Sequence, residues 1–465
     1  MAGTKFKNWS LLFAAIPAFV YIVIRAVLLD FTFDEAWTFL AYAHLNVVDI
    51  IFDKNPVANN HILHSLLMRW AHLLFGMEEW ALRIPVIASF VAFAGGVFAL
   101  LKNQTLHVQL GIGLPLLYQP YLLDYFVAAR GYALALAFMV WSICFLNRFY
   151  SVRKARFLTF TLLFGFLAAW ANFTYLLLLV ALIIALLFIV IKEQIRVGHL
   201  SQILGFTVFT GLLFYEPLQG LIEAEELYYG GRQGLFQDTF RSVGYSMFYH
   251  QVSSFAAGII FASGIALSVL FLSKKLLKSR VWKVGFWSTY LLIAMLGGSY
   301  LQFVLFDRPL LIDRTAMFLI VLFLLSIMMW FQYLKSVILQ KALSIILIIG
   351  ALLNFISSAN LSYILDFRDY ADVKKAMKWV GEHHAQFPEN FGLGKSVYLN
   401  APINFYRIKY KIEEMKVSGI EYCDDDKYPV YYLFEKDLAC VDGMSVDTVA
   451  FYPISKTYLL RSMDK

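Results

Sequence analysis

The chain reads as a polytopic α-helical membrane protein of about eleven transmembrane helices, followed by a small α/β domain on the outer side. Three observations predict this. The 465 residues are 60% hydrophobic and only 15% charged, whereas soluble domains carry roughly 45–50% apolar and about 25% charged residues. Apolar runs of ~20 residues, the length a bilayer requires, recur as far as about residue 358. Beyond about residue 360 charge returns and the apolar runs shorten. This composition excludes a disordered chain, a fibrous chain and an ordinary soluble enzyme. The net charge of +7 lies mostly beside the spans, so it is no nucleic-acid signature, and nucleic acid is not expected as a partner.

The first span, at about 9–29, is longer than the apolar region of a signal peptide and lacks a small-x-small cleavage site, so an uncleaved helix is expected. Further spans are expected at about 84–101, 106–123, 131–149, 157–171, 173–191, 200–219, 252–272, 284–305, 316–334 and 340–358. The stretch 157–191 is too long for one helix, and WANFT, with polar Asn172 and Thr174, supplies the turn.

Charge orients the bundle. Lys5, Lys7, Lys102, Arg148, Arg153, Lys154, Arg156, Lys192, Arg196, Lys274, Lys275, Lys278, Arg280, Lys283, Lys335 and Lys341 fall in alternate loops nearly free of acid. By the positive-inside rule these are cytoplasmic. The intervening loops hold Asp30, Asp34, Glu35, Asp49, Asp53, Asp124, Glu216, Glu223, Glu225, Glu226, Asp238, Asp307 and Asp313. The N-terminus is then inside, and the region 359–465 outside. Short loops and no eukaryotic retention signal point to a bacterial inner (plasma) membrane.

In that outer region DYADVKKAMKWVGEHH has helical periodicity, with Val373, Met377 and Val380 on one face. SVYLNA, YPVYYLF and TVAFYPI read as strands. Cys144 sits in an apolar run and reads as packing; Cys423 and Cys440 are either a disulfide of an oxidising compartment or two unrelated thiols.

Chemistry is sought at the outer face, because carboxylates and Lys/Arg are scarce at the centres of the spans, where a coupled transporter needs them. The first outer loop, 30–80, carries two stretches that read as interfacial amphipathic helices. Asp34 and Glu35 follow the first span. Adjacent residues on a helix point ~100° apart, so one carboxylate serves as general base while the other orients it or binds a metal. Alternatively both are acids favoured at a helix N-terminus. His61 and His64 share a helix face and, with Glu35, would suit a divalent cation, or they are packing histidines. Asp124 and Arg130 flank an apolar segment at the membrane edge. Arg130 suits a lipid phosphate or a structural pair with Asp124. Arg308 and Arg314, in FDRPLLIDRT, are further cations for an anionic headgroup, or snorkelling arginines. The aromatic loop 216–251 would gate a pocket or dock the outer domain.

The Asp-Glu pair after the first span, the long outer loop, GMEEWALRIPVIASFVAF and AARGYALALAF occur in an order that resembles the GT-C membrane glycosyltransferases. The resemblance is nearest to the protein O-mannosyltransferase-like group that includes aminoarabinose transferases, and extends to the tail beginning DFRDYADVKKAMKWV. It implies transfer of a sugar from a polyprenyl-phosphate donor to a glycan, lipid or protein acceptor at the outer face of the membrane. Asp34 is then the base and Glu35 its neighbour; Arg130, Arg308 and Arg314 hold the donor phosphate, with Asp124, His61 and His64 in support. Residues 1–358 would form the catalytic module. NPVANNHILHS departs from the His-Pro or Pro-rich segment of many relatives, so no zinc site is carried over. The alternative is a transporter or flippase of lipid-linked sugars.

Overall fold

The computed structural model describes residues 2–52, 56–194, 197–275, 283–412, 415–417 and 428–463. Asp53, Arg196, Lys278, Arg280 and Cys423 lie outside the described residues. The chain is a multi-pass α-helical membrane protein with a small C-terminal sheet. Nine helices among the described residues are long and apolar enough to cross a membrane, and Leu106–Leu117 and Ala155–Ala171 are shorter apolar helices at two further expected spans.

The chain divides into two compact units, and neither is continuous in sequence. One comprises Met1–Ile22, Val47–His64 and Pro85–Ala359; the other comprises Val23–Asn46, Ser65–Ile84 and Asn360–Lys465. The first unit holds most of the apolar helices. Small residues let them approach: a Cβ on Gly96 would lie 2.7 Å from a Val140 methyl. Polar side chains that apolar surroundings would penalise find each other, as Ser268 and Ser326 do at 2.9 Å, with the Trp330 indole N–H donating to Ser268 at 2.9 Å. At WANFT, Asn172 ends one helix and accepts the Thr174 N–H at 3.0 Å, making the expected turn. The expected span 106–123 is shorter: its helix stops at Leu117, and Gln119 caps a separate helix, Pro120–Tyr125, whose first position is the proline that favours a start.

In the second unit a five-stranded mixed sheet is formed by β1 (Gly392–Lys395), β2 (Lys416–Val417), β3 (Val430–Phe434), β4 (Val446–Tyr452) and β5 (Thr457–Ser462), in the order β2-β1-β3-β5-β4. The central strand β3 is buried along its whole length, which fits its unbroken apolar sequence VYYLF. It runs parallel to β1 and antiparallel to β5. Helix Val373–His383 buries Val373, Ala376, Met377 and Val380. Two expectations are corrected here. SVYLNA is a 3-10 turn, Val397–Leu399, leading into helix Asn400–Lys409, and the strand lies just before it. TYLLRS, which follows the turn at 453–456, is the additional strand β5, and Lys416–Val417 is a further short one.

Candidate active site

The residues expected to carry chemistry fall into two sets, one within each unit. In the unit that contains the sheet, the first long helix ends at Leu28 and the chain re-enters a helix at Phe33. Thr32 caps this second helix: its hydroxyl accepts the Glu35 N–H at 3.4 Å, and the Glu35 carboxylate accepts the Thr32 N–H at 2.9 Å. The sequence T-F-D-E thus puts Asp34 and Glu35 in the first turn, where unpaired backbone N–H groups favour negative charge. Both are buried, Asp34 at 8% exposure and Glu35 at 0%.

The two acids have different surroundings. Glu35 meets Arg83 side-on, with Nε on Oε1 and Nη2 on Oε2, both at 2.9 Å. The remaining guanidinium donors reach the carbonyls of Ala26 (3.1 Å), Leu29 (2.8 Å) and Asp30 (2.8 Å). Those carbonyls close the first helix and open the turn, so one planar cation joins the end of one helix to the start of the next. Burial alone would lower the pKa of Arg83, but the Glu35 carboxylate outweighs it and the guanidinium is held more firmly protonated than usual. Both Glu35 oxygens therefore face donors. No group of three or more His, Cys, Asp or Glu side chains that could hold a metal occurs among the described residues.

Around this turn lies a third buried carboxylate, Glu79. It accepts from the Tyr406 hydroxyl at 3.1 Å, pairs with Lys374 at 3.0 Å and makes a very short contact with Lys409. Burial pushes its carboxyl up, but the two lysines prevail and hold it at about 2. Asp30 accepts the Lys374 N–H at 2.8 Å; here burial prevails and raises the carboxyl to about 7.

In the other unit Arg130 precedes helix Gly131–Val152 and donates through Nη1 to the Asn59 carbonyl at 3.1 Å. Gly131 is needed for close approach: a Cβ there would lie 2.8 Å from the Cβ of His61 and collide with the Ala171 carbonyl. His61 and His64 are buried, at 6% and 0% exposure. The His61 ring stands edge-on to Tyr132, at the end of a ladder of tyrosines 132, 125 and 121 with centroids 5.0 to 5.4 Å apart. Nε2 of His61 and both ring nitrogens of His64 have no hydrogen-bond partner among the described residues. Burial first, then the charges of Arg130, His64 and Arg314, hold His61 well below the ordinary histidine range; burial and Arg130 bring His64 to about 3.

His61, His64, Arg130 and Arg314 thus form one electrostatic cluster. Arg314 also lies over the Tyr229 ring at 5.1 Å, while the Tyr229 hydroxyl donates to Asp313 at 3.3 Å. Asp124, 1% exposed, accepts the Tyr249 hydroxyl at 3.0 Å. The loop 216–251 is tied down rather than free: Gly231 and Leu310 exchange two backbone hydrogen bonds of 2.9 Å, and Glu226 accepts the Ala58 N–H at 3.2 Å. Arg308 is not drawn into the cluster; it is half-buried in the turn, with its backbone N–H on the Gln302 carbonyl at 3.3 Å. Cys144 is a buried free thiol, and Cys440 is disulfide-bonded; Cys423, the partner the sequence offers, lies outside the described residues. Arg83, Glu79, Tyr249 and Tyr406 were not anticipated. A lone arginine in the apolar segment ALRIP was the readable signal, since a charge there demands a partner.

The fold has counterparts among solved structures. No protein-family model matches the chain, and no curated protein matches it by sequence. Among solved structures it is similar to ArnT from Cupriavidus metallidurans in the apo state, with a TM-score of 0.56 and 13% identity over 99% of this chain and 98% of that one. The same ArnT bound to undecaprenyl phosphate gives a TM-score of 0.56 and 12% identity over 98% of both chains. At this identity the likeness is one of fold.

Proposed function

We propose that this protein transfers a sugar from a polyprenyl-phosphate-linked donor to an acceptor hydroxyl at the outer face of a bacterial inner membrane. The observation that carries the proposal is the placement of Asp34: a buried carboxylate on the first turn of a capped helix, directly after the first long apolar helix. Support comes from the shared fold with a protein whose structure holds undecaprenyl phosphate. The sorting of basic and acidic residues into alternate loops supports an N-terminus inside and residues 359–465 outside, as an extracytoplasmic α/β domain.

In the proposed reaction Asp34 takes the proton of the acceptor hydroxyl as its oxygen attacks the anomeric carbon. The bond between that carbon and the phosphate oxygen breaks, and polyprenyl phosphate leaves with both electrons. A single displacement inverts the anomeric centre and needs no carboxylate nucleophile. Arg130 and Arg314 serve the phosphate as charge develops on it. The neutral ring of His64 offers one N–H donor without adding charge, the N–H of His61 being taken by the Ala171 backbone, and Asp124 supports this group through Tyr249. Arg308 stays outside it. Glu35 acts by holding the Asp34 turn rather than by touching substrate.

The test uses purified protein in bilayer nanodiscs with a panel of undecaprenyl-phosphate sugars. Release of free undecaprenyl phosphate is expected from wild type, and Asp34→Asn is expected to reduce it at least ~10³-fold with unchanged thermal stability. Movement of intact donor between leaflets without release identifies a flippase instead. Wild-type turnover by Asp34→Asn removes Asp34 as the base.

A further inference from the structure

Tyr406 lies on helix Asn400–Lys409, more than 370 positions from the Asp34 turn in sequence, and is fully buried. Its hydroxyl accepts the Phe31 N–H at 2.9 Å and donates to Glu79 Oε1 at 3.1 Å. Phe31 directly precedes Thr32, the cap of the helix that carries Asp34. The neighbouring residue, Phe405, stacks on the Phe31 ring at 4.4 Å and meets the Phe39 ring edge-on at 5.3 Å. One turn of the C-terminal helix therefore grips the Asp34 helix on both sides of the acid. Glu79, at the far end of the hydroxyl, is itself fixed by Lys374 and Lys409, which come from the same C-terminal region.

We propose that Tyr406 is a positioning residue for Asp34, its hydroxyl tying the Phe31 N–H to Glu79 and so setting where the Asp34 helix begins. This rests on the reading of Asp34 as the base. The physical case is one of satisfiability and precision. The Phe31 N–H precedes the helix and is buried with the residue at 0% exposure, so it needs an acceptor. The tyrosine oxygen is that acceptor, and it is held by a carboxylate that cannot easily move. A base must sit within hydrogen-bond reach of the proton it takes, and an error of ~1 Å costs about a hundredfold in rate. The C-terminal region would then be part of the machinery that sets turnover, acting through the first turn rather than through substrate.

The test is Tyr406→Phe, which keeps the ring and removes only the hydroxyl. Turnover of undecaprenyl-phosphate sugar and equilibrium binding of undecaprenyl phosphate are measured in parallel on the full chain in nanodiscs. The expected result is a kcat ~10–100-fold lower, with lipid-phosphate affinity and donor KM within about twofold of wild type. Hydrogen exchange in peptides covering residues 29–36 is expected to quicken. A kcat within about twofold of wild type, in a preparation where Asp34→Asn is inactive, overturns the positioning role and leaves the transferase reading intact. A loss of binding and turnover together assigns Tyr406 to general stability and also overturns it. If Tyr406→Phe does not fold, Glu79→Gln is read instead, since it removes the charge through which Lys374 and Lys409 fix the group that holds the Tyr406 hydroxyl. A drop of about three- to tenfold in kcat at constant donor KM supports the role, and wild-type kcat overturns it. If wild type itself releases no polyprenyl phosphate from any donor, the premise fails and the proposal falls with it.

Discussion

The two clusters of charged and polar residues solve opposite problems. Around Asp34, the neighbouring ionic groups are matched: Arg83 with Glu35 and with three carbonyls, Glu79 with Lys374, Lys409 and Tyr406. Around His61 and His64, the charged donors are two guanidinium groups, of Arg130 and Arg314; the rings they bear on are neutral, and three ring nitrogens, one of them on His64 a donor, have no partner among the described residues. A matched network makes a rigid frame, because every buried charge is satisfied where it stands. A group of donors is the composition that receives an anion. The contrast suggests that the first cluster was built to hold one acid still and the second to meet a ligand.

The largest effect should come from breaking the frame. Arg83→Met leaves Glu35 buried at 0% exposure without its cation and strands the carbonyls of Ala26, Leu29 and Asp30. A loss of about 3–5 kcal/mol is expected, read as a large fall in Tm. The double variant Arg83→Met, Glu35→Met should recover a good part of it, because the unpaired charge is gone. If the single variant unfolds near the wild-type Tm, the frame is not what holds the turn.

A smaller effect, with a definite sign, concerns Asp30. Its carboxyl titrates near 7 in the folded chain because burial disfavours the anion, despite the Lys374 N–H and the nearby charges of Lys374 and Lys375; Asp372 pushes the same way as burial. The unfolded value is close to 3.8. A raised folded pKa contributes stability that is complete below the unfolded value and is lost as pH rises through the folded one. Stability should therefore fall by roughly 2–4 kcal/mol between about pH 4 and pH 7 from this group. Asp30→Asn should flatten that part of a Tm–pH curve. The same slope in the variant would mean that another group produces it.

How far each cluster could be read from the sequence follows from the range of the interactions. The spans, the turn at Asn172 and the amphipathic face of Val373, Met377 and Val380 are local patterns, and they were legible; the helix start at Asp34 and Glu35 was one of two readings of that pair. The Asp34–Glu35 pair could be found, but not the difference between its members, because that difference is made by Arg83, 48 positions away. Tyr406 gives no local signal at all; a tyrosine on an amphipathic helix looks the same whether its hydroxyl meets water or a backbone N–H. The strand Thr457–Ser462 was missed because pairing with β3 and β4, not its own alternation, defines it. The composite units escaped for the same reason, since 23–46 and 65–84 join 360–465 only through contacts that span most of the chain.

The smallest effect on stability is expected where the comparison predicts none. His64 is fully buried, held neutral, and its ring nitrogens have no partner among the described residues. A buried polar ring that makes no hydrogen bond contributes only its shape, so His64→Phe should shift stability by no more than about 1 kcal/mol in either direction. Its consequence should appear elsewhere, as roughly tenfold weaker binding of undecaprenyl phosphate, the scale of one hydrogen bond to a charged oxygen. Arg83→Met should do the reverse, lowering Tm steeply while the protein that remains folded binds the lipid normally. If His64→Phe instead destabilises by several kcal/mol and leaves binding untouched, the histidine belongs to a matched frame of its own, and the distinction between the two clusters fails.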